Sequence, residues 1–213
     1  MKRTCVIVVL LAACATSGER RYVVLESEAY GCGAAEGLGC GLAIAPVLHQ
    51  IDELEGVGES STSWDGRYFR IELEPGADSE HVSAAAAGLL QGEACCVTEP
   101  RGKAAPAGPE QWYDEERTRL LSRHEAGVIA SHYADVINSE VELAPDSVKR
   151  LQTVLREELE LAFERAHAAG GGVDRLWDQL PEASARFEKR LAEFLTPEQR
   201  AQVVAITMRE LGA

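Results

Sequence analysis

Gly37-Leu38-Gly39-Cys40-Gly41-Leu42-Ala43, and the stretch that carries it to Gly56-Val57, decide how the first half of this 213-residue chain is read. After Cys40 the apolar side chains Leu42, Val47, Leu48, Ile51 and Leu54 recur at a helical period that Gly56 ends. Upstream, a loop rich in glycine and cysteine follows Tyr22-Val23-Val24-Leu25, whose β-branched run predicts a short strand. Downstream, a weaker strand from Glu59 to Trp64 turns at Asp65-Gly66 into the run ending at Leu73, before Pro75-Gly76. Ser79 is placed to cap a second helix with Val82, Ala85, Ala86, Leu89 and Leu90 on its apolar face. Ala94-Cys95-Cys96-Val97-Thr98 closes as a last strand, so the predicted order is βαββαβ.

That order predicts an α+β, ferredoxin-like sandwich over residues 21–98. The residues resemble the heavy-metal-associated domains of copper chaperones, metal-pumping ATPases and periplasmic mercury-binding proteins. The signature of that family runs Gly-Met-Thr-Cys-x-x-Cys through a helix to Gly-Val. Here Gly37 to Ala43 occupies it, with Gly56 and Val57 at the family's spacing. The resemblance implies a soft metal ion, copper, mercury or zinc, held by thiolates, because sulfur suits such ions. Cys40 takes the first ligand position, whereas the second is Ala43.

The fold implied by the resemblance sets the last strand antiparallel beside the first. Cys95 and Cys96 then share one end of the domain with Cys32 and Cys40, and these four are the candidate metal ligands. An exported module with an even number of cysteines is read first as disulfide-linked, with three pairings open and those that join the loop to the last strand favoured, and a site that binds metal only after reduction is a third reading. His49 and His81 fall on the two helices and are read as solvated or structural.

Residues 99–110 hold three prolines, two glycines and three alanines within ten positions, which no core can use, so they predict a linker. Beyond it, residues 111–213 predict an all-α helical hairpin module. Its first helix is marked by Leu120 to Ile137 and its second by Val148 to Phe163. Gly170-Gly171-Gly172 breaks the chain, a third helix from Leu176 to Phe194 has a break near Pro181, and a fourth follows Thr196. Thr196, Pro197 and Gln199 are placed as cap, first helical residue and capping-box partner. The apolar stripes are read as core.

Leu195-Thr196-Pro197-Glu198-Gln199 is similar to the LTxxQ motif of the Spy/CpxP family, periplasmic helical proteins of envelope stress and heavy-metal resistance. Leu143-Ala144-Pro145-Asp146-Ser147 stands where the second copy would be, without its Thr and Gln. The resemblance implies either a chaperone cradle or a histidine metal sensor. His124 and His132, eight residues apart with Val128 between, share a helix face about 12 Å apart and are the weaker metal candidates. His167, near the tip of the hairpin, is expected to face solvent.

The N-terminal Met1 to Cys14 has a basic start at Lys2 and Arg3, an apolar run too short to span a bilayer, and small residues before Cys14. Leu11-Ala12-Ala13-Cys14 resembles the lipobox of bacterial lipoproteins. This implies that residues 1–13 are a signal peptide, Cys14 is acylated as with palmitate, and residues 14–20 are a tether. Ala15, in place of Asp, implies an outer-membrane destination facing the periplasm. A formal charge of −14 argues against nucleic acid as a partner.

Two function classes follow. One is an envelope lipoprotein that binds, buffers or senses a soft heavy-metal ion. The alternative is a non-catalytic chaperone-like or interaction protein, whose metal-type fold is a disulfide-stapled scaffold and whose helices bind an envelope partner or client. No nucleophile elbow, HExxH or phosphate loop is present, so no enzyme is expected.

Overall fold

The computed structural model describes residues 20–33, 35–91, 97–98 and 112–210. The protein is a mixed α+β, mostly helical chain that divides into two compact units between Thr118 and Arg119, except that Gly33–Ala35 group with the second. Cys14, Cys95, Cys96, the signal segment and the linker lie outside the described residues.

The first unit is built on β1 (Arg21–Ser27), α1 (Gly41–Asp52), β2 (Val57–Ser63), β3 (Tyr68–Leu73), α2 (Ser79–Leu90), β4 (Val97–Thr98) and β5 (Trp112–Tyr113). The strands form one sheet in the order β4-β1-β3-β2-β5, antiparallel throughout. Strand alternation puts Leu25, Phe69, Ile71 and Leu73 on one face, where they are buried with Leu42, Ile44, Leu48 and Ile51 of α1 and Val82, Ala86 and Leu90 of α2. At about 25 cal/mol per Å² of apolar surface removed from water, that layer is the main source of the unit's stability. Asp52, at the end of α1, accepts a hydrogen bond from the Ser60 N–H at 2.6 Å, and the Ser60 hydroxyl donates to the Leu48 carbonyl. Burial pushes the Asp52 carboxyl up, against the opposing pull of Ser60.

The second helix is capped by Asp78 rather than Ser79. The Asp78 carboxylate accepts from the N–H groups of Glu80 and His81, while Ser79 is buried in the first turn. Asp brings a negative charge to the positive end of the helix, which the neutral Ser hydroxyl does not, and this accounts for the one-residue shift. The hydropathy pattern holds no hint of β5, which lies beyond the linker yet pairs with β2, Thr62 opposite Tyr113 and Ser63 opposite Trp112. Arg70 of β3 explains how it is held. Its guanidinium stacks on Tyr22 of β1 at 5.1 Å and on Trp112 at 4.8 Å, bridging the sheet, while Trp64 lies 5.5 Å from Tyr113.

The second unit comprises α3 (Thr118–Val141), α4 (Pro145–Ala168), α5 (Val173–Leu191) and α6 (Pro197–Glu210). Ala130, Ala134 and Ile137 of α3, Leu151, Val154 and Leu155 of α4, Phe187 and Leu191 of α5, and Val203 and Ile206 of α6 make one core. Pro181 does not break the third helix. It is exposed, and the carbonyl it leaves without a helical partner belongs to Trp177, which is also exposed, so water can serve that carbonyl. Between α4 and α5 all three glycines have positive φ, at 100°, 75° and 91°, a conformation open to glycine, and the Gly171 N–H closes onto the Ala166 carbonyl at 2.9 Å. Glu158 of α4 is nearly buried and receives Arg186 at 2.7 Å and Arg190 at 3.3 Å, both from α5. Arg165 pairs with Glu182 and holds its carboxyl below the ordinary range.

Candidate functional site

Cys32 and Cys40 belong to a short ribbon between β1 and α1. Gly31 and Gly39 form an isolated antiparallel bridge. The Cys32 N–H donates to the Leu38 carbonyl at 2.7 Å, and the Cys40 N–H to the Tyr30 carbonyl at 2.8 Å. Those bonds flank the two glycines, so Gly31 and Gly39 face one another as a non-hydrogen-bonded pair, with Cα atoms about 4.5 Å apart. Alternation sets Cys32 and Cys40 on the same side of the ribbon, diagonal to each other across it.

Two anchors fix the ribbon. Tyr30 is buried, its ring edge meets Phe69 at 5.1 Å, and its hydroxyl donates to the Leu90 carbonyl. On the other side the Gly39 N–H donates to the Trp64 carbonyl at 2.8 Å. There the ribbon lies directly on the Asp65-Gly66 turn. A Cβ at Gly39 would come 2.8 Å from the Gly66 Cα, and one at Gly66, where φ is +70°, would come 2.6 Å from the Tyr30 oxygen. Only glycine at both positions permits this approach. The turn itself is the expected hairpin, with the Ser63 hydroxyl on the Asp65 carboxylate at 2.5 Å.

Cys40 is the N-cap residue of α1, in extended conformation, and its side chain makes no capping hydrogen bond to the first turn. The positive end of the helix therefore lies beside its sulfur, a setting that favours an anionic ligand atom. Ala43 is half-buried in that first turn. A pair made of residues 40 and 43 has only one sulfur, so the family's own ligand arrangement does not fit this chain, whereas the donor set Cys32 and Cys40 does supply two. Both cysteines are half-buried, and no disulfide joins them. A polar depression of about 200 Å³ opens beside the ribbon, lined by Ser27, Glu28, Gly31, Asp65 and Arg67, with neither sulfur in its wall.

The other two members of the four-cysteine set, Cys95 and Cys96, lie outside the described residues. β4 does run antiparallel beside β1, with Val97 opposite Ser27 at the end of β1 that leads into the ribbon. Among the described residues no group of three or more His, Cys, Asp or Glu side chains is placed to hold a metal ion. His124 and His132 are both exposed on α3, and the His132 ring lies 5.9 Å from that of Tyr133. His49 is exposed and lies between Glu53 at 3.6 Å and Glu115 at 3.2 Å, a surface pair of little energetic weight.

His167 is not solvent-facing as its place near the hairpin tip suggests. It is half-buried, 2.9 Å from the Ser122 hydroxyl of α3, and burial together with Arg119 pushes its pKa down to about 4. The pair is not a nucleophile and base, since Ser122 is 1% exposed and no substrate can reach it. Thr196 and Gln199 exchange reciprocal hydrogen bonds at 3.2 Å, so the Thr and Gln of LTPEQ form a capping box.

Nothing in the hydropathy pattern predicts the ribbon. The signal that carries it is a repeat, Gly31-Cys32-Gly33 and Gly39-Cys40-Gly41, which sets each cysteine between glycines at the spacing of a tight two-stranded turn. No known protein family matches the chain, nor does any curated protein or solved structure.

Proposed function

We propose that this protein is a lipid-anchored protein of the bacterial envelope that binds a soft heavy-metal ion through its first unit, as a buffer or sensor. The observation that carries the reading is the placement of Cys32 and Cys40 on one side of a glycine ribbon, with Cys40 at the N-terminus of α1. The strand order β4-β1-β3-β2, with a helix in each crossover, supports a ferredoxin-like unit of the metal-handling kind. In the second unit α4 and α6 each begin with a proline, Pro145 and Pro197, on either side of the α4–α5 hairpin, which supports the likeness to Spy/CpxP proteins. The anchor at Cys14 and the outer-membrane destination rest on the first fifteen residues alone. The reading assigns no catalytic residue.

An interaction or chaperone-like role is favoured by a different observation. Val173 and Trp177, one turn apart on α5, are 42% and 48% exposed, an apolar pair with affinity for a partner or client. Elemental analysis with a thiol count on protein purified without reductant separates the two. Bound copper, mercury or zinc with unoxidised thiols is the expected result. Oxidised cysteines with no metal, and no uptake after reduction, would overturn it in favour of the interaction protein.

A further inference from the structure

We propose that the first turns of α5 are a docking face for a basic amphipathic helix of another protein. The proposal rests on the interaction reading of Val173 and Trp177 and gives that reading a partner of defined chemistry.

Val173, Leu176, Trp177 and Leu180 recur at i, i+3, i+4 and i+7, the pattern of a helix that buries one stripe. The same stripe continues down α5 as Ala183, Phe187 and Leu191, all of them buried. Before Ala183 the burial stops, for Val173 and Trp177 are exposed and Leu176 and Leu180 half-buried. The ion pairs between α4 and α5 show why. Glu158 meets Arg186, Glu157 meets Arg190 and Arg165 meets Glu182, so each step forward on α4 is a step back on α5. Ala168, where α4 ends, is then about level with Gln179, and Val173 to Asp178 run past it by about 9 Å at 1.5 Å per residue. That stretch of the stripe has outrun the helix that covers the rest.

Size and charge select the occupant. A stable interface takes about 800 Å² from each partner. A whole aromatic side chain supplies only about 150–250 Å², so the exposed parts of Trp177 and Val173 are too small a surface to hold a second copy of the chain and fit one short helix. Charge gives that helix its sign. The arginines at this end of the α4–α5 hairpin, Arg165 and Arg175, are held by Glu182 and Asp178, while Asp174 stands next to Val173 in the first turn. The whole chain carries −14. A helix with lysine or arginine beside its apolar stripe is drawn to such a face, and an acidic one is repelled. A second copy would bring the same negative charge.

The full chain is titrated into a fluorescently labelled helical peptide of leucine and lysine, with the leucines on one face, and into its counterpart in which glutamate replaces lysine. Anisotropy gives the affinities of the wild type, Val173→Ser and Trp177→Ser, circular dichroism confirms folding, and sedimentation gives the mass of the chain alone. Both side chains are exposed, so both variants are expected to fold. The wild type should bind the lysine peptide at least about tenfold more tightly than the glutamate peptide. Trp177→Ser should lose about tenfold or more for the lysine peptide, as the loss of an aromatic anchor does, and Val173→Ser should lose less. Equal binding of that peptide by the wild type and Trp177→Ser overturns the docking face and leaves the interaction reading standing. Equal affinity for the two peptides overturns the basic partner. A dimer that Trp177→Ser dissociates makes the occupant a second copy and overturns the proposal as well. A wild type that binds neither peptide overturns it outright, and the interaction reading is then decided by the metal and thiol analysis.

Discussion

The two units both have apolar cores but place their charges differently. In the first, Phe69, Ile71, Leu48 and Ile51 are wholly inaccessible behind one sheet, and its ion pairs, such as Arg20 with Glu72, stand at the surface. In the second, the hairpin of α4 and α5 is closed by an acid, Glu158, at 8% exposure between two arginines. The difference separates shape from charge. Apolar packing of the first kind has no charge for salt to screen, whereas an ionic seam with partly exposed arginines does.

The largest effect is expected from Phe69→Ala. Removing that side chain leaves a cavity in a fully packed layer and should cost about 3–5 kcal/mol, the same at low and high salt. It also withdraws the surface on which Tyr30 rests, and with it one of the two anchors of the ribbon. Glu158→Gln keeps shape and removes charge. Its cost should be about 1.5–3 kcal/mol, the range of hydrogen bonds to charged groups, and should shrink in 1 M salt. Denaturant unfolding of each variant at two ionic strengths measures both. A neutral Glu158→Gln would break the contrast, because buried ion pairs are sometimes no better than the apolar contacts around them.

How much of this was legible beforehand differs between the same two regions. Helical periodicity located every helix of the second unit, and Thr196 with Gln199 met as expected, because capping is decided within four residues. The strands and helices of the first unit also followed from alternation, from Gly56 and from the Asp65-Gly66 turn. What escaped depends on residues far apart in the chain. β5 is held by Arg70, more than forty positions upstream, and no local pattern encodes that stack. The ribbon at Gly31 and Gly39 depends on the room that Gly66 leaves, and the burial of His167 on Ser122 of another helix. The resemblance to the metal motif breaks at Ala43, and the bridge of Gly31 with Gly39, which sets Cys32 and Cys40 on one side of a ribbon, lies outside any linear pattern.

The smallest expected effect sharpens the contrast through pH. His167 has a pKa pushed from 6.5 to about 4, first by burial and then by Arg119. The unfolded chain therefore takes up a proton as pH falls through 6.5, and the folded second unit does not. Stability contributed by the neutral imidazole is complete above that pH and is lost as pH falls towards 4. A single pKa unit is worth about 1.4 kcal/mol, and with the ring partly open to solvent the expected loss by about pH 5 is near 1 kcal/mol. Glu140 and Glu182, whose arginine partners hold them below the ordinary carboxylate range, add their own loss once the carboxyls of the unfolded chain begin to protonate near about pH 5, so His167 is isolated by comparison with a variant rather than by the wild-type slope alone. His167→Gln keeps a hydrogen-bonding group for the Ser122 hydroxyl and removes the titration. Thermal unfolding followed by helical circular dichroism at about pH 6.5 and about pH 5 should show a larger fall for the wild type than for the variant. An equal fall in both would mean that the ring is protonated in the folded state, and that the seam between α3 and α4 is more open to water than its geometry shows.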